Sequence, residues 1–575
     1  MDLKTRIDIA AGRQPADLVL RNGRVVNVLS CEIHEGDVAI AGEHIVGIGR
    51  YEGRETVDLR GQYVCPGLID GHVHIESSML SVPEFARLVC TRGTTAVIAD
   101  PHELANVMGV EGVRYVLSSS KFCPIHVFVM LSSCVPASPY ESSGAELTAL
   151  DLEPLLADRW VIGLAEVMDY PGVISAEPAC LDKIAVVGSR PIDGHAPGVR
   201  GRDLCAYAAA GIGSDHECTT LEEAREKLRM GLHIMIREGS QARNLDALLP
   251  LVTTETLDRF MFVTDDKDVE DLLEEGHIDF MIRRAIAAGL NPVHAVKLAT
   301  FNPANYFGLR QLGAVAPGRI ASLAIVDDLS SFRVRRTYHA GRLVAEDGAA
   351  LPLPGTHKPP LLRSSINVKW LEPEQFVVAA PSSSADGACR AHVIEVLENR
   401  IDTRRSVETL PVQNGRVVTD PQRDICKLAV IERHQAGGGT GLGFVRGFGL
   451  KRGALASSIG HDAHNLAVVG VSDADIYTAA VKLVKMRGGL CVVCDGQVLA
   501  ESPLPIGGLM SEADAPTLRA QLRALHQAAA SLGAALRRPF MALSFLTLSV
   551  IGELKLTDQG LVDVARFKLI DLIAK

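Results

Sequence analysis

Between residues 65 and 310, short apolar segments alternate with stretches whose apolar positions recur at helical spacing. Eight such segments can be counted: YVCPGLIDGHVHI, TTAVIADPHE, IHVFVMLSSCVP, VIGLAEVMDY, RPIDGHAPG, GIGSDHE, LHIMIREGS and FMFVTDD. Strands buried on both faces read as near-continuous apolar runs. The intervening TLEEAREKLRMG and DALLPLVTTETLDRF carry helical periodicity. Eight strand–helix units predict an α/β fold built on a (β/α)8 TIM-like barrel. Each segment ends in polar residues, at the strand end where barrel enzymes place their chemistry. Residues far apart in the chain are therefore expected to meet at one mouth.

The flanks have a different texture. Residues 1–64 contain short strands and turns: ADLVLRNGRVVNV reads as two strands joined by an Asn22-Gly23 hairpin, and DVAIAGEHIVGIG repeats the pattern. After the helical NPVHAVKLATFNPANYFGL, residues 311–355 return to strand and turn, and HAGRLV echoes RNGRVV. The two flanks are expected to form one composite β-sandwich. The Pro-rich PLPGTHKPPL at 352–361 reads as a linker. Residues 362–575 form an additional C-terminal α+β domain. Its glycine-rich HQAGGGTGLGFVRGFGLKRGALASSIGHDAHN fits neither GxGxxG nor GxxxxGK[ST], which excludes a nucleotide-binding loop.

Composition narrows the function. The net charge of −11 and the lack of a long basic block argue against nucleic acid as a partner. No apolar run approaches the roughly 20 residues of a membrane span, and the N-terminus lacks a signal-peptide core. A cytoplasmic location is expected, with the twelve cysteines as free thiols. CVVC, Cys491 to Cys494, lies in an apolar run and reads as a buried strand rather than a metal or redox motif. A homodimer or higher homo-oligomer is expected of a large barrel protein.

His72 and His74 are two residues apart, so on a strand both imidazoles face the same way, about 6.6–7 Å apart. Alone, H-x-H is a weak signal. The other strand ends add His102 and Glu103, Glu166, His195, His216, and Asp265 with Asp266. Two imidazole pairs with carboxylates suit two divalent metals: His72, His74 and Asp265 for one, His195 and His216 for the other, with a carboxylate and a water-derived hydroxide between. Such a site lowers the pKa of water towards roughly 7. No ligand is a thiolate, so zinc, manganese and iron(II) all fit.

Other residues carry weaker signals. Arg237, Glu238 and Ser240 contact substrate or brace the mouth, as do Ser132 and Ser133. His102 is a ligand or a hydrogen-bonding residue behind the ligands. His233 reads as a packed core histidine, and His277 with Asp279 as positioning the helix after strand eight. HDAHN, with His461, Asp462 and His464, would close the site, hold a further metal, or form a structural turn.

H-x-H after strand one, single histidines after strands five and six, and aspartate after strand eight resemble the amidohydrolase superfamily over residues 16–350. Ser322 departs from it where aspartate is frequent. PGLIDGHVHIESSM, DPHELANVMG, SSCVPASP, GLAEVMDYPGVI, DGHAPG, GSDHE and EGHIDFMIRRAI resemble the adenine deaminases, and FVRGFGLKRGALASSIGHDAHN resembles that family's C-terminal domain. The resemblance implies hydrolysis of adenine to hypoxanthine and ammonia in purine salvage, with two metals, manganese or iron(II), zinc being also acceptable. Metal-activated hydroxide would attack C6, N1 would need a proton, and the amine would need one to leave. Glu103, in the polar DPHE, is expected to bridge the metals. Glu166, in the apolar VIGLAEV, is expected to be protonated by desolvation and to serve N1; the reverse assignment stays open. Asp265 would bind metal and carry the proton from water to the amine. A cyclic-amide hydrolase of the dihydropyrimidinase type is the alternative, though its strand-four lysine is replaced here by Glu166; another 6-substituted purine is a further one. A non-catalytic assembly protein would have lost the metal ligands, and the H-x-E/P-C-x-x-C pattern of the other zinc deaminases is absent.

Overall fold

A computed structural model describes residues 1–352, 362–382, 387–398 and 400–574. Beyond residue 352, the linker expected at 352–361 lies outside the described residues.

The eight apolar segments become eight parallel strands: β1 Leu68–Val73, β2 Thr94–Ala99, β3 His126–Leu131, β4 Val161–Val167, β5 Ile192–Gly194, β6 Ser214–Asp215, β7 His233–Arg237 and β8 Phe260–Val263. The first five pair in order β5-β4-β3-β2-β1, the last three as β6-β7-β8. Two seams curl these sheets into a barrel. Val73 and Asp265 form a parallel bridge, and the Asp265 N–H donates to the His72 carbonyl at 2.9 Å. Across β5 and β6, the Gly213 N–H donates to the Ile192 carbonyl at 2.9 Å. Inside, Ile69, Ile98, Met130, Ala165, Met235 and Met261 are buried and fill the floor. The floor is apolar, and the polar strand ends converge above it.

The connecting helices follow their local signals. Leu221–Arg229 begins at Thr220, whose side chain accepts the Glu223 N–H. Acidic residues open it and Lys227 and Arg229 close it, matching the helix dipole.

Both flanks enter one sandwich. A seven-stranded sheet takes Arg24–Asn27, Glu32–Glu35 and Tyr63–Pro66 from before the barrel, and Leu323–Val326, Val334–His339, Arg342–Glu346 and Ala349–Ala350 from after it. The seam is Tyr63–Pro66 running antiparallel to Leu323–Val326. The first flank thus reaches Pro66 rather than 64. A four-stranded sheet packs on it through Leu18, Leu20, Val25, Ile40, Val64, Leu323 and Ile325. The hairpin expected at Asn22-Gly23 does not form. Ala16–Arg21 and Arg24–Asn27 belong to different sheets, and Asn22 turns the chain between them at φ 56°. Its N–H donates to Asp37 and its side chain to Asp58, so both apolar strands face the sandwich interior.

In the C-terminal domain, side-chain alternation divides a nine-stranded sheet into two apolar faces. Ala454, Ala456, Cys491 and Val493 pack with helix Asp473–Met486. Leu455, Leu490 and Val492 lie in the cluster that includes helix Ala515–Ser531. CVVC is accordingly a buried strand, Gly489–Cys494, and its cysteines are free. The domain docks on the barrel mouth. The Ser511 N–H donates to the Met79 carbonyl at 2.8 Å. Arg538 pairs with Asp268 and Asp271, and the Asn465 side chain donates to the Ser142 carbonyl.

Candidate metal centre

His72 and His74 leave the end of β1, His195 follows β5, His216 follows β6 and Asp265 follows β8, all buried. The barrel brings them around Glu166, near the end of β4. Glu166 Oε1 lies 3.2 Å from His74 Nε2 and 3.8 Å from His72 Nε2; Oε2 lies 2.7 Å from His195 Nδ1 and 3.2 Å from His216 Nε2. Asp265 Oδ1 sits 3.0 Å from His74 Nε2 and 3.5 Å from His72 Nε2. The His72 ring centroid is 4.7 Å from those of both His74 and His216.

This donor set fits two divalent cations. Both ring nitrogens of His72 and Nδ1 of His216 are buried without a hydrogen-bond partner, which buried polar atoms rarely tolerate. The His74 Nδ1 faces the Asp100 carbonyl at 3.1 Å, which fixes the tautomer that turns a lone pair on Nε2 towards the cluster.

The two glutamates stand differently from expectation. Glu166, not Glu103, lies between the imidazole pairs. Burial alone would raise its carboxyl, but His195, His216 and His74 outweigh burial and hold it well below the ordinary carboxylate range. That direction is opposite to the one expected from its apolar segment. Glu103 is instead raised, by burial first and then by Asp266, with His461 opposing. It accepts from Ser77 at 3.0 Å and lies 3.5 Å from His461.

Arg237 lines the cavity as a brace. It forks onto Glu217 at 2.5 and 3.0 Å and reaches Asp265 Oδ2 at 2.6 Å. Burial raises the Asp265 carboxyl, but Arg237, His72 and His74 pull it well below its usual value. Glu238 and Ser240, weighed as substrate contacts, have other partners: Arg284 for Glu238 and Asp271 for Ser240. Ser133 donates to the Glu166 carbonyl at 2.5 Å, and Ser132 to Asp100 at 3.2 Å. His102 pairs through Nδ1 with Asp100 at 2.9 Å, behind the ligands. His233 packs on Tyr306 at the opposite end of β7. His277 joins Thr94 and Asp70, and Asp279 accepts the His277 N–H.

The C-terminal domain closes the mouth. The cavity, about 40 Å³, is lined on the barrel side by His74, Glu103, Glu166, His195, His216, Glu217, Arg237 and Asp265, and on the other by Ile401, His461, Asp462, Phe545, Leu548 and Ile551. His461 stacks on Phe545 at 4.5 Å. Burial would lower it, but Glu103, Asp462 and Asp266 push it up to about 9. The Asp462 carboxyl is raised by burial, yet His461 and His102 bring it below its usual value. Glu103, His461 and His464 come close enough together to suggest a further cation. However, the Gly460 N–H points at His464 Nδ1 at 3.3 Å, which leaves the proton on Nε2, facing Glu103 Oε2 at 4.0 Å. The His464 Nε2 is buried without a hydrogen-bond partner. A larger groove lined by Phe122, His126, Trp160 and His339 lies at the N-terminal end of the barrel, away from every ligand.

Glu217 and the apolar wall were not singled out from sequence. Glu217 follows His216 directly in SDHE and could have been paired with Arg237. The wall residues carry no mark that separates them from core.

Residues 63–344 match the model of the amidohydrolase family, and residues 400–568 that of the adenine deaminase C-terminal domain. The chain is 48% identical to an adenine deaminase of Desulfatibacillum aliphaticivorans, covering 98% of this chain and 99% of that one. It is 46% identical to adenine deaminase 2 of Carboxydothermus hydrogenoformans and to an adenine deaminase of Dehalococcoides mccartyi, each over 99% of both chains. With these matches running the length of both the barrel and the C-terminal domain, the chain belongs to the adenine deaminase family of amidohydrolases.

Proposed function

We infer that the chain hydrolyses adenine to hypoxanthine and ammonia, using two divalent cations held by His72, His74, His195, His216, Glu166 and Asp265. The observation that carries this is Glu166, ionised and within 3.8 Å of four imidazoles, in a chain of this family. Bound there, the cations supply Lewis acidity that brings the pKa of water from 15.7 towards about 7.

The chain's own groups do the rest. Glu166, being ionised, serves as the shared carboxylate and not as an acid. Glu103, with its raised carboxyl at the cavity wall, holds the proton that N1 receives as water adds to C6. Asp265, aimed by Arg237, accepts the proton of the attacking water and delivers it to the 6-amino group, which leaves as ammonia. Arg237 is itself held by Glu217. Ile401, Phe545, Leu548 and Ile551 keep bulk water out and offer a flat apolar face to a planar base.

Manganese or iron(II) is proposed as the metal, with zinc also accepted, because every donor is nitrogen or oxygen. A cytoplasmic homo-oligomer is proposed with it; free cysteines throughout the described residues suit a reducing compartment. Among the described residues no helix is long and apolar enough to cross a membrane. The test is ammonia release from adenine, adenosine and hydantoin by protein reconstituted with each metal. Turnover of adenine with two metals per chain is expected. Turnover of hydantoin with none of adenine would overturn the proposal.

A further inference from the structure

We propose that the groove at the N-terminal end of the barrel is a second ligand site, which takes a heteroaromatic base carrying a phosphate, in the class of the purine mononucleotides. The site lies at the opposite end of the strands from the reaction at the mouth and does not depend on it.

Alternation along β3 sends His126, Phe128 and Met130 into the barrel. Met130 joins the apolar floor, Phe128 lies one layer below, and His126 stands at the open lower end. Trp160, just before β4, and His339, from the sandwich strand Val334–His339, complete an aromatic wall. The His126 ring centroid lies 4.3 Å from that of His339 and 5.5 Å from that of Trp160, and Trp160 lies 5.4 Å from Phe128. The groove they line holds about 710 Å³, inside the roughly 300–1,000 Å³ of small-molecule sites.

Both imidazoles are half-buried, and neither has a hydrogen-bond partner among the described residues. His126 Nε2 and His339 Nδ1 are enclosed by protein; the other nitrogen of each ring is left for a ligand. Burial drives both rings down, His126 to about 4 with Arg159 adding, and His339 to about 3 with His126 and Arg342 adding. At neutral pH each is an uncharged ring with one N–H and one lone pair. That suits the mixed donor and acceptor edge of a base, while the ring faces offer stacking.

Charge at the rim supplies the other half. Lys121, Arg159 and Arg310 border the groove against one carboxylate, Glu43. None of the three cations makes an ion pair among the described residues; Arg159 lies over the Trp160 ring at 5.0 Å. On a chain of net charge −11, three unneutralised cations around one aromatic groove reverse the local sign and attract an anion. A hydrocarbon would leave the imidazoles and cations unused, and an inorganic anion would leave the rings unused. A base between the rings with a phosphate at the rim uses both.

The chain has two tryptophans, and the other one, Trp370, is 82% exposed and does not line the groove. Trp370→Phe therefore leaves Trp160 as the sole reporter. Titrated with adenosine 5′-monophosphate, this variant should show saturable quenching of Trp160 fluorescence. Affinity should exceed by roughly tenfold or more that for ribose 5-phosphate, which lacks the base, and should also exceed that for adenosine, which lacks the phosphate. In the same background, Lys121→Gln and Arg310→Gln should weaken the nucleotide several-fold and leave adenosine unchanged. His339→Phe should weaken nucleotide and adenosine together and leave ribose 5-phosphate unchanged. Thermal midpoints check the fold; should His339→Phe fail to fold, the two exposed cations still decide the question. Absence of saturable quenching overturns the proposal, as does equal affinity for ribose 5-phosphate or for adenosine. Quenching that follows protein concentration rather than ligand also overturns it, and would make the groove a contact between copies of the chain.

Discussion

Asp70, Asp100 and Asp215 each precede a rim histidine by one or two positions, and each accepts the backbone N–H two residues on: those of His72, His102 and Glu217. Asp70 also holds Thr264 and His277, so one carboxylate ties the ends of β1 and β8 together. In DGH, DPH and SDH the aspartate sets the turn that presents the histidine at the mouth. That the histidines and Asp265 meet could be read from sequence because strand ends gather at one mouth. The roles of Glu103 and Glu166 could not, because they depend on charge from other strands. The apolar neighbours of Glu166 correctly signal burial; three imidazoles contributed by β1, β5 and β6 then reverse its effect. Two substitutions separate the glutamates. Glu166→Gln should lose bound metal as well as activity. Glu103→Gln should keep two metals per chain while kcat falls by roughly 10²–10⁴, the usual worth of a general acid. Because the Glu103 carboxyl is raised, kcat/KM should decline on the alkaline side of its titration, and that decline should vanish in the variant. Metal analysis beside pH–rate profiles checks both, and retention of metal in Glu166→Gln would refute the assignment.

At the level of elements, the barrel strands declared themselves as apolar runs of the right length, whereas the wall over the mouth did not. Phe545 to Ile551 reads as ordinary core. Its placement depends on Lys555, which is fully buried and donates to the carbonyls of Ile401 at 2.8 Å and Phe545 at 2.7 Å. Both of those residues line the cavity. Burial drives the Lys555 ammonium down from its ordinary 10.5 to about 7, with Asp402 opposing weakly. The unfolded chain therefore holds one more proton than the folded one between about pH 7 and 10.5, and stability contributed at this position rises with pH across that window. Below pH 7 both states are charged and the full desolvation cost remains. The stability of wild type minus that of Lys555→Met should grow in favour of wild type by about 1.4 kcal/mol per pH unit at most. Denaturant midpoints at pH 6.5, 7.5 and 8.5 measure it. A flat difference would mean that Lys555 keeps its charge on folding.

The whole molecule builds one site from two halves of the chain, and the junction is electrostatic where it could have been purely apolar. Arg538 of the C-terminal domain enters a pocket formed by Asp268 and Asp271, at the start of helix Val269–Glu274 just beyond β8. All three side chains are largely buried. Sequence patterning shows a barrel and a separate C-terminal domain, but docking depends on pairs such as this one, which periodicity does not encode. Removing one partner of a buried pair strands the others and costs about 3–5 kcal/mol. Asp268, already pushed up to about 6 by burial, can soften this by taking a proton. Arg538→Met should therefore leave the barrel and its two metals intact while loosening the lid. KM for adenine should rise several-fold, and limited proteolysis should cut between the halves faster than in wild type. Adding Asp268→Asn to Arg538→Met should recover part of the loss, because the stranded charge is then gone. If KM and protease resistance both match wild type, Arg538 does not hold the domain over the mouth, and closure must rest on the apolar contacts and main-chain bonds alone.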